Sequence, residues 1–417
     1  MLVLDTFLQP TQARRRQGPK GRYDIILLLT VIALASLGVV MVASASIAVA
    51  AGKQVGEFHY LQRHLAYLAV GVVAAVVLAR IELRVLEKGH FWWMAGGIVL
   101  LLAVFLPGIG MRINGAHRWL HVGPLSFQPV EAMKLILIVY LASYLVRHRD
   151  SVQTRFTGAL KPLGVALGIA VLLLRQPDFG SATLLLAVTV GMIWLGGARM
   201  RNLVYMGLPL VPVAAWVATS QDYRVQRLTS FLNPWNDPFN DGFQLVQALI
   251  AIGRGEWFGV GLGGSVQKLF YLPEAHTDFI LAVIGEELGL FGITLVVGLF
   301  SVLVWRGLAT GLRGVQLNQH FAGYVAFGIS LMIGLQALVS IGVNLGVLPT
   351  KGLTLPLISS GGSSVLMTCA MMGVLLRCTY EVRRAEDIRS MAVRRPDPAE
   401  KPASAAADGA GAREVSA

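Results

Sequence analysis

Long apolar runs alternate with short polar stretches over most of this chain. A helix that crosses a bilayer needs about 20 mostly apolar residues. Runs near that length begin at Ile25, Leu61, Phe91, Met133, Leu163, Ala182, Leu203, Phe279, Phe321 and Val365. The pattern predicts an all-α integral membrane protein with ten transmembrane helices. The fifth and sixth runs are the weakest, because Arg175, Pro177 and Asp178 lie between them. These residues read as a short turn at the membrane face. One long loop, residues 220–278, separates the seventh run from the eighth. Loops of that size in a compact protein are usually functional. In it, Asn233–Pro238 is a turn cluster. Phe243–Ile252 is apolar but too short to span, so it reads as an interfacial or re-entrant half-helix. The glycines of Gly259–Gly264 have no strand before them and do not make a nucleotide loop; they suit close backbone approach or a tight turn.

Composition agrees. Of 417 residues, 55% are hydrophobic and 14% charged, against about 25% charged in a soluble domain. The net charge of +12 does not point to nucleic acid, because the basic residues flank the apolar runs, where they set topology. With the N-terminus in the cytoplasm, most of the 35 Lys and Arg, including Arg14–Arg16, fall on the cytoplasmic side. Ten crossings then put both termini in the cytoplasm and the long loop outside. Ala43-Ser44-Ala45 could pass for a signal cleavage site, but the run Ile25–Val42 exceeds the signal core of about 7–15 residues. The expected division is a basic tail over 1–22, a membrane domain over 23–384 and a disordered cytoplasmic tail over 385–417, the last rich in Ala, Pro and charge. Cys369 and Cys378 have neither metal spacing nor a disulfide framework and read as packing residues. His59, His64, His117 and His121 are scattered without ligand spacing.

Charge within the apolar frame changes the picture. A charged side chain at helix mid-depth costs roughly 2.5–3.5 kcal/mol. Yet Gly253–Gly289 holds Arg254, Glu256, Lys268, Glu274, His276, Asp278, Glu286 and Glu287. Elsewhere Glu131 and Lys134 lie three residues apart on one helix face, and Asp178 sits in the turn before the sixth run. By the topology above, Glu131, Lys134, Asp178 and Asp278 are at or near the outer face and can line one cavity. Glu131 and Lys134 suit a structural ion pair equally well, and Asp178 or Asp278 a helix cap. Asp278 is the candidate general base: it starts an apolar wall, has Glu274 and His276 beside it, and follows a loop able to form a pocket. Glu286 and Glu287, about two turns further on, read as structural or regulatory. Gly361–Ser364 can be a simple connector.

Several segments together carry a family resemblance: Asn114–Trp119, Phe127–Glu131, Gln176–Gly180, Leu272–Leu288 and Asn344–Ser364. Over about Tyr23–Arg384 the chain resembles the SEDS family (shape, elongation, division and sporulation), the bacterial membrane group containing RodA and FtsW. Gln267–His276 and Pro349–Thr354 are worded more like the division member than the elongation member. The family commonly has Tyr where Ser360 stands and often Ser where Val130 stands. The resemblance implies a peptidoglycan glycosyltransferase that polymerises lipid II outside the cytoplasmic membrane, at the septum. It implies a class B penicillin-binding protein (the division transpeptidase, FtsI-type) and other divisome membrane proteins as partners. The family's essential aspartate falls on Asp278 and its other functional polar positions on Glu131, Lys134 and Asp178. Arg118, Lys134, Lys351 or a divalent cation (Mg or Mn) would balance the pyrophosphate, with Glu274 and His276 as neighbours of the base. Alternatives are a lipid II flippase, the elongation polymerase, and a scaffold that only recruits partners.

Overall fold

The structure, a computed structural model, describes residues 21–394 apart from 53, 114–115, 123–124, 221, 241, 270 and 350–351. The expected N-terminal tail, all but Gly21 and Arg22, lies outside the described residues, as do the chain beyond Arg394 and Lys351. Tyr23–Val382 forms one compact unit. It opens with helices α1 (Ile25–Gly52), α2 (His59–Arg80), α3 (Leu83–Lys88) and α4 (His90–Ala103). Strands β1 (Gly110–Ile113), β2 (Ala116–Val122) and β3 (Leu125–Phe127) follow. Next come α5 (Pro129–Arg147), α6 (Arg149–Thr154), α7 (Phe156–Arg175) and α8 (Phe179–Leu195), then the short α9 (Met200–Gly207), α10 (Leu210–Thr219) and α11 (Asp222–Leu232). Helix α12 (Phe243–Gly255) lies in the long loop, before α13 (Ile280–Gln316), α14 (His320–Asn344) and α15 (Gly362–Arg394).

Among the described residues, seven helices are long and apolar enough to cross a membrane: α1, α2, α5, α7, α13, α14 and α15. Helices α4 and α8 are apolar but shorter. The chain is thus a mostly helical, multi-pass membrane protein. The run from Leu203 is divided between α9 and α10, with Pro209 between them; proline lacks the N–H that helix continuity needs.

The purely α reading needs correction in the connection before α5. There β1, β2 and β3 form an antiparallel sheet in the order β1-β2-β3. The strands are too short, at 4, 7 and 3 residues, for a period of two to stand out. A second correction is at the C-terminal end. Helix α15 runs to Arg394, past the tail boundary set at 385, because Ala385, Glu386 and Arg389 are good helix formers.

Helices α5, α13, α14 and α15 supply much of the core: Leu137, Leu141, Val283, Ile284, Val325, Ile329, Met371 and Leu375 are all buried. Helix α13 packs against α14, α12 and α1. It is interrupted at Gly289, where φ is +66°. A break strands backbone groups on both sides, and each unsatisfied group in a bilayer costs several kcal/mol. The long loop supplies the partners. Val260 N donates to Glu286 O (2.9 Å) and Gly261 N to Glu287 O (3.1 Å); Leu290 N donates to Glu256 O (2.9 Å) and Phe291 N to Trp257 O (3.1 Å). That approach needs glycine: a Cβ on Gly259 would stand 2.2 Å from Glu287 O, and one on Gly255 1.8 Å from Gly285 O.

Two carboxylates clamp the same loop. Glu286 and Glu287 are both 0% exposed. Glu286 accepts from Arg254 Nη1 (2.9 Å), Ser265 Oγ (2.5 Å), Val266 N (3.0 Å) and Gln267 N (3.3 Å). Glu287 accepts from Lys268 Nζ (2.7 Å) and from Ser44 Oγ of α1 (2.7 Å). Arg254, Lys268, Glu286 and Glu287 are therefore a staple between loop and broken helix.

The segment between α14 and α15 is no simple connector. Leu355–Ser359 is buried. It reaches mid-α1, where a Cβ on Gly38 would stand 2.5 Å from Leu357 O. Non-helical backbone of this kind is tolerated in a membrane protein only when buried in protein or lining a cavity.

Candidate active site

Asp278 sits where the long loop enters α13, two residues before the helix starts. It is half-buried. Its backbone and that of the two preceding residues are held by three donors in a row. Ser360 N donates to His276 O (2.9 Å), Ser359 Oγ to Thr277 O (2.6 Å) and Asn344 Nδ2 to Asp278 O (2.9 Å). All three come from the end of α14 or the buried segment after it. The carboxylate lies beside Gly352: a Cβ there would be 3.3 Å from Asp278 Oδ2. Glycine thus puts no side chain of its own against Oδ2.

The ion pair expected from the spacing is formed. Lys134 Nζ donates to Glu131 Oε1 at 2.8 Å, and Lys134 is 0% exposed. Glu131 Oε2 is buried and has no hydrogen-bond partner among the described residues. Lys134 Nζ also donates to Gln336 Oε1 (2.9 Å), and Gln336 Nε2 donates to Thr354 O (2.9 Å). Thr354 Oγ1 donates to Ser364 Oγ (2.9 Å), and Ser359 Oγ accepts from Leu355 N (2.8 Å). A bonded path therefore joins the Glu131–Lys134 pair to the buried segment that holds the backbone of Asp278.

The other candidates have local partners. Asp178 caps α8: its Oδ1 accepts from Ser181 N at 3.1 Å. Arg118, on β2, donates from Nε to Gln176 O (3.0 Å) and from Nη2 to Pro177 O, so it fixes the turn before Asp178. Leu353 packs at the start of α8, with Cγ 3.5 Å from a Cβ placed on Gly180. Glu274 is exposed and accepts from Thr277 Oγ1 at 2.8 Å. His276 is 8% exposed, its ring 5.1 Å from that of Tyr60. Lys351 precedes Gly352 but lies outside the described residues. The arrangement gives one carboxylate on a rigid backbone, with a buried ion pair behind it. Such a site suits a single proton transfer.

The family model for the FtsW, RodA and SpoVE cell cycle proteins matches residues 24–384. The chain belongs to this family. A probable peptidoglycan glycosyltransferase FtsW of Xanthomonas oryzae pv. oryzae is 53% identical over 91% of this chain and 77% of its own. One of Alkalilimnicola ehrlichii is 48% identical over 91% and 93%. Among solved structures, a peptidoglycan synthase complex that coordinates polymerization and crosslinking contains a chain of the same fold (TM-score 0.69, 30% identity, 86% of this chain and 98% of that one). Thermus thermophilus RodA also aligns (TM-score 0.62, 28% identity, 86% and 96%).

In this FtsW/RodA-type frame, several site residues escape sequence reasoning. Gln336, Asn344 and Thr354 are single polar residues in apolar surroundings, and Ser359 opens the Ser and Gly run to Ser364. The available signal is an amide at membrane depth: Gln336 and Asn344 both lie in α14, otherwise largely apolar. A buried amide there must find partners.

Proposed function

We infer that this chain is a peptidoglycan glycosyltransferase that polymerises lipid II at the outer face of the cytoplasmic membrane during septal wall synthesis. The observation that carries the reading is identity of 48–53% over about nine-tenths of the chain with proteins named as FtsW glycosyltransferases. The Lys and Arg distribution supports ten crossings, with both termini in the cytoplasm and residues 220–278 outside. Asp278 then lies at the outer face. Lipid-anchored donor and acceptor reach it laterally through the bilayer.

In the proposed reaction, Asp278 takes the proton from the sugar 4-hydroxyl of the acceptor lipid II. That oxygen attacks the anomeric carbon of the growing strand, the bond to undecaprenyl pyrophosphate breaks, and the configuration inverts. A glycosidase needs a second carboxylate to protonate a poor leaving group. Pyrophosphate leaves without one, so one base with cationic stabilisation suffices. The single carboxylate beside Gly352 fits this requirement. Arg118, which donates to the turn at Gln176–Pro177, and Lys351 are the proposed cations, and Glu131–Lys134 the proposed support. A Mg or Mn ion would enter with the pyrophosphate as part of the substrate. Among the described residues no three His, Cys, Asp or Glu gather, and Asp178 is engaged as a cap. A class B penicillin-binding protein is the proposed partner, by analogy with the complex of polymerase and crosslinker.

The flippase reading is separated by reconstitution. The protein and its transpeptidase partner are placed in vesicles with labelled lipid II, and glycan length and lipid translocation are read in parallel. Polymer without translocation supports the glycosyltransferase; translocation without polymer overturns it.

A further inference from the structure

Asn344 is 0% exposed, at the last turn of α14, yet all its amide valences lead to groups around Asp278 or its own helix. Oδ1 accepts from Ala282 N (3.1 Å), one of the first N–H groups of α13. Nδ2 donates to Asp278 O (2.9 Å) and to Ser340 O (2.8 Å). Helix α13 needs this help. Its N-cap, Phe279, offers no side-chain cap, and Ala282 N shares its hydrogen between Phe279 O (3.0 Å) and the Asn344 amide. An amide brought from 62 residues away supplies the cap and grips the backbone carbonyl of the aspartate at once.

We propose that Asn344 is a positioning residue for the glycosyl transfer: a brace between the end of α14 and the start of α13 that sets where the Asp278 carboxylate points. The proposal rests on the reading of Asp278 as the base. Its chemistry is specific to an amide. A carboxylate at this place could accept from Ala282 N but could not donate to two carbonyls. A hydrophobic side chain could do neither. Displacing a catalytic group by about 1 Å costs on the order of 10²-fold in rate, and a carboxylate whose own carbonyl is released is free to shift by that much. Asn344 is itself fully buried and offers nothing to substrate, so the loss falls on turnover and not on affinity.

The test uses the full chain purified with its transpeptidase partner and labelled lipid II. Two variants are compared, Asn344→Ala and Asn344→Leu; the second keeps the volume, so a fold lost to a cavity in the first is retained. Thermal unfolding of the complex reports the fold, and initial rates give kcat and KM. The expected result is a fall in kcat of about tenfold or more, with KM within about twofold and the complex intact. In a chain that already carries Asp278→Ala, Asn344→Leu should lower the residual rate no further. Wild-type kcat in both variants overturns the brace. So does a loss expressed in KM alone, or one that only follows the unfolded fraction. The Asp278→Ala arm keeps the two readings apart. If that variant polymerises at the wild-type rate, the base is wrong. If it is dead while both Asn344 variants are normal, the base stands and the brace falls.

Discussion

Asp178 uses its carboxylate to hold a helix start, and that role has consequences different from those of a ligand. Capping residues contribute about 0.5–2 kcal/mol. Asp178→Ala should therefore lower the stability of the detergent-solubilised protein by about 1 kcal/mol, and Asp178→Ser, which keeps a capping oxygen, should recover most stability and most polymerase rate. A dead but stable Asp178→Ser would instead assign the carboxylate to substrate. Glu286 is at the other extreme. Four donors converge on it in a fully buried place. Removing one partner of a buried pair costs about 3–5 kcal/mol. Glu286→Ala should therefore deplete folded protein from the membrane and drop the unfolding temperature, read by quantitative blotting and thermal melts. Residues of this kind explain what was legible at this scale. A pair such as Glu131–Lys134 can be read from spacing, because three residues along a helix bring two side chains together. Asn344 and Ser359 cannot, because their partners lie on other elements, 62 and 82 residues away in the chain.

Elements carry the next level. Apolar runs reveal where helices pass, but not where one breaks: glycine is common in transmembrane helices, and nothing in the run marks Gly289 apart from Gly285 or Gly292. Only the loop backbone seated on Glu286 and Glu287 makes the break stable. The same holds for the segment between α14 and α15, whose apolar Leu355–Ile358 resembles any short connector until it meets Gly38 of α1. That contact gives a further prediction. In Gly38→Val the added side chain must push Leu357 O, 2.5 Å from the Cβ position. Overpacking of this kind costs about 1–3 kcal/mol. The displaced segment carries Ser359 and Ser360, which hold the backbone before Asp278. Polymerisation by Gly38→Val should fall more than its stability does, measured as initial rate against unfolding temperature. A rate lost only in proportion to folded protein would detach this segment from the site.

At the scale of the molecule, the proposed topology puts the loop with Asp278 on one side of the membrane and both chain ends on the other. The native cysteines help to check this. Cys369 and Cys378 are buried, so single introduced thiols dominate labelling. Phe239→Cys, at an exposed loop position, should react with a membrane-impermeant maleimide in spheroplasts; Ser390→Cys, near the end of α15, should react only after permeabilisation. Labelling of both from outside would reverse the topology. The fold class follows from hydropathy because bilayer thickness sets helix length. The sheet between α4 and α5 and the pairing of loop with broken helix do not, because both depend on contacts distant in sequence.

The most direct measurement is the rate at which purified Asp278→Ala, in complex with its transpeptidase partner, polymerises labelled lipid II. Loss of a general base removes about 10²–10⁴-fold. The complex should still assemble and still bind lipid II, with polymer reduced by at least that lower figure. An intact complex of Asp278→Ala that makes glycan at the wild-type rate would contradict the assignment of Asp278 as the base.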